Sequence, residues 1–316
     1  MSSMLTRRPL GRTDLAVTPL CVGAAPLGSM PQQFGYETPA ERGIATVRAA
    51  IGSGINFLDT ANIYGAGESE RRIGAAVSEI GGVPEGFVIA TKVDRDDASG
   101  DFSGTRMRRS AEESLERLGL DRFPLLHLHD PEHISFAEAM APGGPVETLL
   151  RLRDEGIAEH VGLAGGPVEL MAKFLREVPF EVLVTHNRWS LLDRSAEDLI
   201  DEAVERGVAV LNGAVFGGGL LARPPGESTR YAYREAGEEI LERARRMRAA
   251  CERHGVPLPA AALQFSVRDR RIASTIVGTS RPERVAETLR LAEHPVPEEL
   301  WAELLDLAAP PECWQW

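Results

Sequence analysis

The chain has 316 residues, 43% hydrophobic and 26% charged, and its 47 acidic side chains outnumber 35 basic ones for a formal charge of −12. A chain this apolar is not intrinsically disordered, and its negative field argues against nucleic acid as a partner. No stretch approaches the roughly 18 apolar residues of a membrane span, so neither membrane insertion nor a membrane partner is expected.

In chain order, TRRPLGRTDLAVTP comes first. Its GRTD tetrad between two short extended pieces predicts a β-hairpin. Eight short apolar runs follow: Leu20 to Gly23, Ile55 to Thr60, Phe87 to Lys92, Phe123 to His129, His160 to Leu163, Val182 to His186, Val208 to Leu211 and Ser274 to Gly278. Between them lie segments with apolar residues three and four apart, such as Ala40 to Ile51, Glu70 to Ile80, Met107 to Leu118 and Ala196 to Arg206, which read as amphipathic helices. Glycines at 54, 119, 156 and 207 stand where such helices need a left-handed end. Alternation of this kind predicts an α/β fold, a single (β/α)8 TIM barrel over residues 1–316 with the hairpin closing its floor. The longest irregular stretches, 93–104 and 212–237, follow strands and therefore belong to the face where barrel active sites lie.

Polar residues at the C-terminal ends of barrel strands point into that mouth. The second run ends with Asp59, followed by Tyr64 in DTANIYGAGESE; the third ends with Lys92; the fourth ends with His129 in LLHLHDPE. Of the 35 basic residues only Lys92 and Lys173 are lysine, so a lysine closing an apolar strand suggests a task that a guanidinium cannot perform. An ammonium beside a phenol favours phenolate, and a carboxylate would hold that ammonium charged. Such a set can move a proton to or from a carbonyl oxygen while a cofactor carries hydride. His127 shares the strand face of His129 and reads as a packed core histidine. Cys21, Cys251 and Cys313 are far apart and match no metal or redox spacing. No metal site is expected, and the protein reads as cytoplasmic.

GRTDLAVTPLCVGAAPLG, FLDTANIYGAGESERRIG, IATKV, ESLERLGLDRF, LLHLHDPE and IVGTSRPERVAETL together resemble the aldo-keto reductase family over almost the whole chain. Within it, HNRWSLLDR and CERHGVPLPAAALQF resemble the branch of L-fucose dehydrogenase, D-threo-aldose 1-dehydrogenase and pyridoxal 4-dehydrogenase. The resemblance implies an NAD(P)-dependent oxidoreductase that interconverts an aldehyde, ketone or sugar hemiacetal with its alcohol or lactone. The alternative is a catalytically weak dinucleotide-binding or sensing protein of the same fold. Asp59, Tyr64, Lys92 and His129 match the family's catalytic tetrad, with Tyr64 as general acid/base.

Where the family offers side-chain donors to the nicotinamide amide, this chain reads Ala164, Gly165, Gly166. The resemblance therefore assigns that contact to His186 and Asn187, with Trp189 as an aromatic face. It places the pyrophosphate on Phe216, Gly218, Gly219 and Leu220, and the adenosine end on Ser280, Arg284 and Glu287. Arg284 makes NADP(H) the first choice of cofactor and NAD(H) the alternative. Met30, Phe34, Trp189, Tyr231, Trp314 and Trp316 are candidates for the walls of a pocket that takes a small carbonyl, alcohol or sugar.

Overall fold

A computed structural model describes residues 4–224, 227, 229–232 and 234–314. Eight parallel strands close into a barrel in the order of the chain: β1 (Leu20–Gly23), β2 (Phe57–Asp59), β3 (Val88–Val93), β4 (Phe123–His129), β5 (Ala158–Ala164), β6 (Val182–His186), β7 (Ala209–Gly213) and β8 (Ile272–Gly278). Strand β8 pairs with both β7 and β1, which removes every sheet edge. All eight sequence runs are strands. The second is shorter than the apolar run: Asn56 N donates to the Thr18 hydroxyl (3.3 Å), its Oδ1 accepts from Thr18 N (2.8 Å), and its Nδ2 donates to Ala16 O (2.9 Å) and Gly86 O (2.7 Å).

Those bonds anchor the expected hairpin, in which Arg8–Pro9 pairs antiparallel with Ala16–Val17. Leu10 and Val17 are fully buried and join Phe57, Val88, Leu125, Val182 and Leu211 inside the barrel. The hairpin is thus the plug of the barrel floor.

Helices α1 (Ala40–Ile51), α2 (Glu68–Glu79), α3 (Gly104–Leu118), α4 (Pro145–Asp154), α5 (Val168–Glu177) and α6 (Glu197–Glu205) each follow a strand. The β7–β8 connection breaks the simple alternation with two helices, α7 (Glu238–Arg253) and α8 (Leu258–Val267), before α9 (Pro282–Glu293) and α10 (Glu298–Asp306). Helix α3 shows the local logic. The Ser103 hydroxyl caps it by accepting from Arg106 N (3.2 Å), and Gly119 ends it at φ 67°, where a Cβ would be strained. Its apolar residues Met107, Ala111 and Leu118 are buried against the outside of the barrel. Among the described residues, no helix is long and apolar enough to cross a membrane.

Candidate active site

Period-two alternation sends Val88, Ala90 and Lys92 of β3, and Leu125, His127 and His129 of β4, into the barrel. The register sets Asp59 beside Ala90 and Lys92 beside His127. Asp59 and Lys92 therefore meet near the C-terminal rim, where Lys92 Nζ donates to Asp59 Oδ1 (2.6 Å) and to Thr60 O (2.5 Å). The ammonium also lies 3.4 Å from Tyr64 Oη and 4.9 Å from the centre of the Tyr64 ring. Edge-on to that ring stands His129, with centroids 5.6 Å apart. The four residues picked from strand ends thus share one site.

Tyr64 sits in a turn fixed from both sides. Arg106 Nη2 donates to Asn62 Oδ1 (3.0 Å), and Ile63 N donates to Asp94 Oδ2 (3.0 Å). On the other side the backbone of Gly28 lies against Gly65: a Cβ at Gly65, which has φ 61°, would come 2.0 Å from Gly28 O. Only glycine allows this approach.

The structure adds residues that the sequence reading passed over. Asp94 Oδ1 lies 2.6 Å from His129 Nδ1. Two steps of strand alternation from Lys92 would have found it, because 92 and 94 share a face. Asp130, in the left-handed conformation (φ 44°), lines the cavity with Oδ1 3.6 Å from His129 Nε2. Burial opposes charge on His129, but Asp130 and Asp94 outweigh it and raise the pKa above the ordinary imidazole value. For Asp130, burial is outweighed by the attraction of His129 and His186, and its carboxyl lies below its usual range. His186 is driven down to about 4, chiefly by burial, so it is neutral at pH 7. Asn187 Nδ2 donates to His186 Nδ1 (3.0 Å), which leaves the ring proton on Nε2. His127 is fully buried in the barrel interior and held neutral by burial, as expected of a core histidine.

The tetrad lines a cavity of about 720 Å³ together with His186, Phe216, Gly218, Gly219 and Gly278. Met30 and Phe34 wall it as expected. Several expected contacts lie elsewhere. Trp189 is buried against Phe265 (5.3 Å) with the Arg271 guanidinium over its ring (4.8 Å), and it does not line the cavity. Asn187 reaches the cavity only through His186, and Leu220 packs into the outer core. Ser280 is buried on the approach to α9, while Arg284 and Glu287 pair on the helix surface at 3.0 Å; none of these three lines the cavity. Tyr231 is buried in the core, and Trp314 Nε1 donates to Ala309 O (2.8 Å). Trp316 lies outside the described residues.

Beside Ala164, the two glycines Gly165 and Gly166 are closely approached by the ends of neighbouring side chains. A Cβ at Gly165 would meet Met171 Sδ at 2.9 Å and Glu132 Oε2 at 3.0 Å; one at Gly166 would meet Arg188 Nη1 at 2.8 Å. Among the described residues, no cluster of three His, Cys, Asp or Glu side chains could hold a metal ion.

The sequence profile of the Aldo/keto reductase family matches residues 19–309. D-threo-aldose 1-dehydrogenase of Pseudomonas sp is 32% identical over 92% of this chain and 94% of its own length. Pyridoxal 4-dehydrogenase of Microbacterium luteolum is 31% identical over 94% and 96%. L-galactose dehydrogenase of Arabidopsis thaliana is 32% identical over 89% and 86%. Among solved structures, the holo form of an aldo-keto reductase from Bacillus halodurans superposes with a TM-score of 0.77 at 23% identity, covering 96% of both chains. The glycerol dehydrogenase of Gluconobacter oxydans superposes with a TM-score of 0.75 at 21% identity, covering 97% of this chain and 95% of its own. At these identities the two structures speak for the barrel alone.

Proposed function

The chain belongs to the aldo/keto reductase family and is a nicotinamide-dependent oxidoreductase of small carbonyl and alcohol substrates, and from that premise we propose that it acts on the hemiacetal carbon of a sugar with Tyr64 as general acid/base. The observation that carries this reading is Lys92 Nζ, bonded to Asp59 and 3.4 Å from Tyr64 Oη, in the lining of the cavity. A sugar is favoured by the polar groups around the tetrad, since Gln33, Arg95, Asp97 and Asp130 all line the cavity and can bond hydroxyls. Two of the relatives carry aldose and galactose dehydrogenase names. We place the enzyme in the cytoplasm as a single barrel domain; its three free cysteines suit a reducing compartment.

The residues present fit an extended dinucleotide. Glycines 213, 218, 219 and 278 line the cavity, and a Cβ would lie 3.5 Å from His186 at Gly213 and 3.4 Å from Pro26 at Gly278. Bare backbone there lets amides face an anionic pyrophosphate. His186, with Asn187 fixing its tautomer, would hold the nicotinamide amide; Ser280 and Arg284, which lie at the start of α9 outside the cavity lining, would hold the adenosine end if it extends beyond the cavity. Arg284 supports NADP(H), while Glu287, only 3.0 Å from it, is the acidic competitor that would favour NAD(H). When bound, the nicotinamide supplies or accepts hydride.

In the oxidising direction Tyr64 Oη takes the proton of the substrate hydroxyl as its carbon loses hydride, and in reduction it returns that proton to the carbonyl oxygen. Lys92 stabilises the phenolate, and Asp59 keeps the ammonium in place. His129 orients the reacting oxygen. Fluorescence titration of the purified protein with NADPH and NADH, followed by turnover with a panel of aldoses, tests the proposal. Binding of one cofactor and lactone formation from an aldose are expected. Failure to bind either dinucleotide would overturn it.

A further inference from the structure

His129 faces a carboxylate at each ring nitrogen. Nδ1 lies 2.6 Å from Asp94 Oδ1, and Nε2 lies 3.6 Å from Asp130 Oδ1. Asp94 is fixed where it stands. Its side chain is about 1% exposed, its Oδ2 accepts from Ile63 N (3.0 Å), and its own N–H donates to the Ser110 hydroxyl (2.9 Å). Arg106 Nε, donating to Asp94 O (3.1 Å), secures the same residue from α3.

This arrangement decides what the ring can do. A carboxylate oxygen only accepts, so Nδ1 must carry a proton to bond Asp94. A neutral His129 would then present a bare lone pair at Nε2, toward Asp130 and toward any substrate carbonyl oxygen, which is also an acceptor. Two acceptors facing each other repel; a second proton on Nε2 removes the conflict.

We infer that Asp94 is a positioning residue that, together with Asp130, holds His129 as an imidazolium, so that Nε2–H donates to the reacting oxygen and its charge stabilises negative charge developing there. The other titratable groups around the ring are Lys92 on β3, Tyr64 after β2, His127 on β4, Glu132 and His133 beyond Asp130, and His186 at the end of β6. Lys92 opposes the second proton, and the neutral His186 does not. With two carboxylates against one ammonium, the electrostatic balance around the ring lies with the imidazolium, in keeping with the raised proton affinity of His129.

The inference rests on the proposed role of His129 at the substrate oxygen, but its test does not depend on turnover. Long-range 1H–15N NMR of the full protein labelled at histidine, with His129→Gln to assign the signal, reads both ring nitrogens directly. Both are expected to be protonated at pH 7. In Asp94→Asn the titration midpoint is expected to fall by about one pH unit or more, a tenfold weaker hold on the proton. The upper pH limit of carbonyl reduction should move the same way, whereas a purely structural role for Asp94 would alter stability and leave the midpoint where it was. A wild-type His129 with one protonated nitrogen at pH 7 would overturn the inference even if the variant failed to fold. So would an unchanged midpoint in Asp94→Asn. An enzyme with no dinucleotide turnover but a doubly protonated His129 would count against the proposed function and leave this ring state standing.

Discussion

Asp59 and Lys92 form an ion pair with side chains only 5% and 3% exposed; the β2–β3 register pairs Asp59 with Ala90, and Lys92 follows on the same face two residues later. The pair is sealed below by the apolar barrel interior and faces Tyr64 above. Charges in such a place cost free energy to desolvate, and they persist here because each satisfies the other.

Removing either partner leaves the other charge buried and uncompensated. Asp59→Asn and Lys92→Met are each expected to lower stability by about 3–5 kcal/mol, whereas the double variant should lose markedly less than the sum. Urea unfolding of the four proteins gives the coupling. Additive losses would mean that the two charges are stabilised independently.

Tyr64→Phe keeps the ring and removes only the proton that is transferred. Turnover should fall by about 10²–10⁴-fold, while the dissociation constant for the preferred dinucleotide stays within about twofold. Single-turnover kinetics beside fluorescence titration checks both halves. A fully active variant would exclude Tyr64 as acid/base.

Placing serine at Gly165 and asparagine at Gly166, to supply side-chain donors beside the nicotinamide amide site, should not tighten cofactor binding. Glu132, Met171 and Arg188 fill the space those side chains need. The double variant is expected to be less stable by about 1–3 kcal/mol, the usual cost of overpacking when flexible side-chain ends can move aside, and to bind the dinucleotide more weakly. Thermal unfolding and titration measure the two effects; tighter binding would show that the loop gives way instead.

At the floor, His160 bridges Asp14 of the hairpin (2.7 Å from Nε2) and Glu181 (2.8 Å from Nδ1). Partial burial works against the imidazolium, but the hydrogen bonds to Asp14 and Glu181 outweigh it, so the pKa lies above 6.5 in the folded state. The folded protein then binds this proton more tightly than the unfolded chain. The latch is fully present below about pH 6.5 and fades as pH rises through the raised value. Asp14, whose carboxyl is lowered by the same bond, gives stability that is present above 3.8 and lost as pH falls through its lower folded value. The groups are too exposed for a large effect. Thermal midpoints of wild type and His160→Gln should differ most near pH 6 and converge toward pH 8.5. A difference that grows with pH would reverse the assignment.

The eight strands, the floor hairpin, the strand-end residues Asp59, Lys92 and His129 and Tyr64 in the turn after Asp59 were legible in the chain because they follow from local rules. Short apolar runs bounded by amphipathic helices make the strands of a parallel barrel, and the last inward residue of a strand must face the mouth whatever surrounds it. Tertiary structure alone decided the rest. Alternation puts Asp94 on the face of Lys92, but its contact with His129 came from the pairing of β3 with β4, and the turn after β4 put Asp130 into a left-handed conformation. Trp189 looked like a cofactor face from its place after β6, yet it turned inward, because Phe265 of α8 and Arg271 just before β8 cover it from distant parts of the chain. The ends of Glu132 and Arg188 that crowd glycines 165 and 166 likewise come from other loops. Strand direction is set by neighbours in sequence; loop conformation and the space left for a side chain are set by groups that folding brings in from elsewhere.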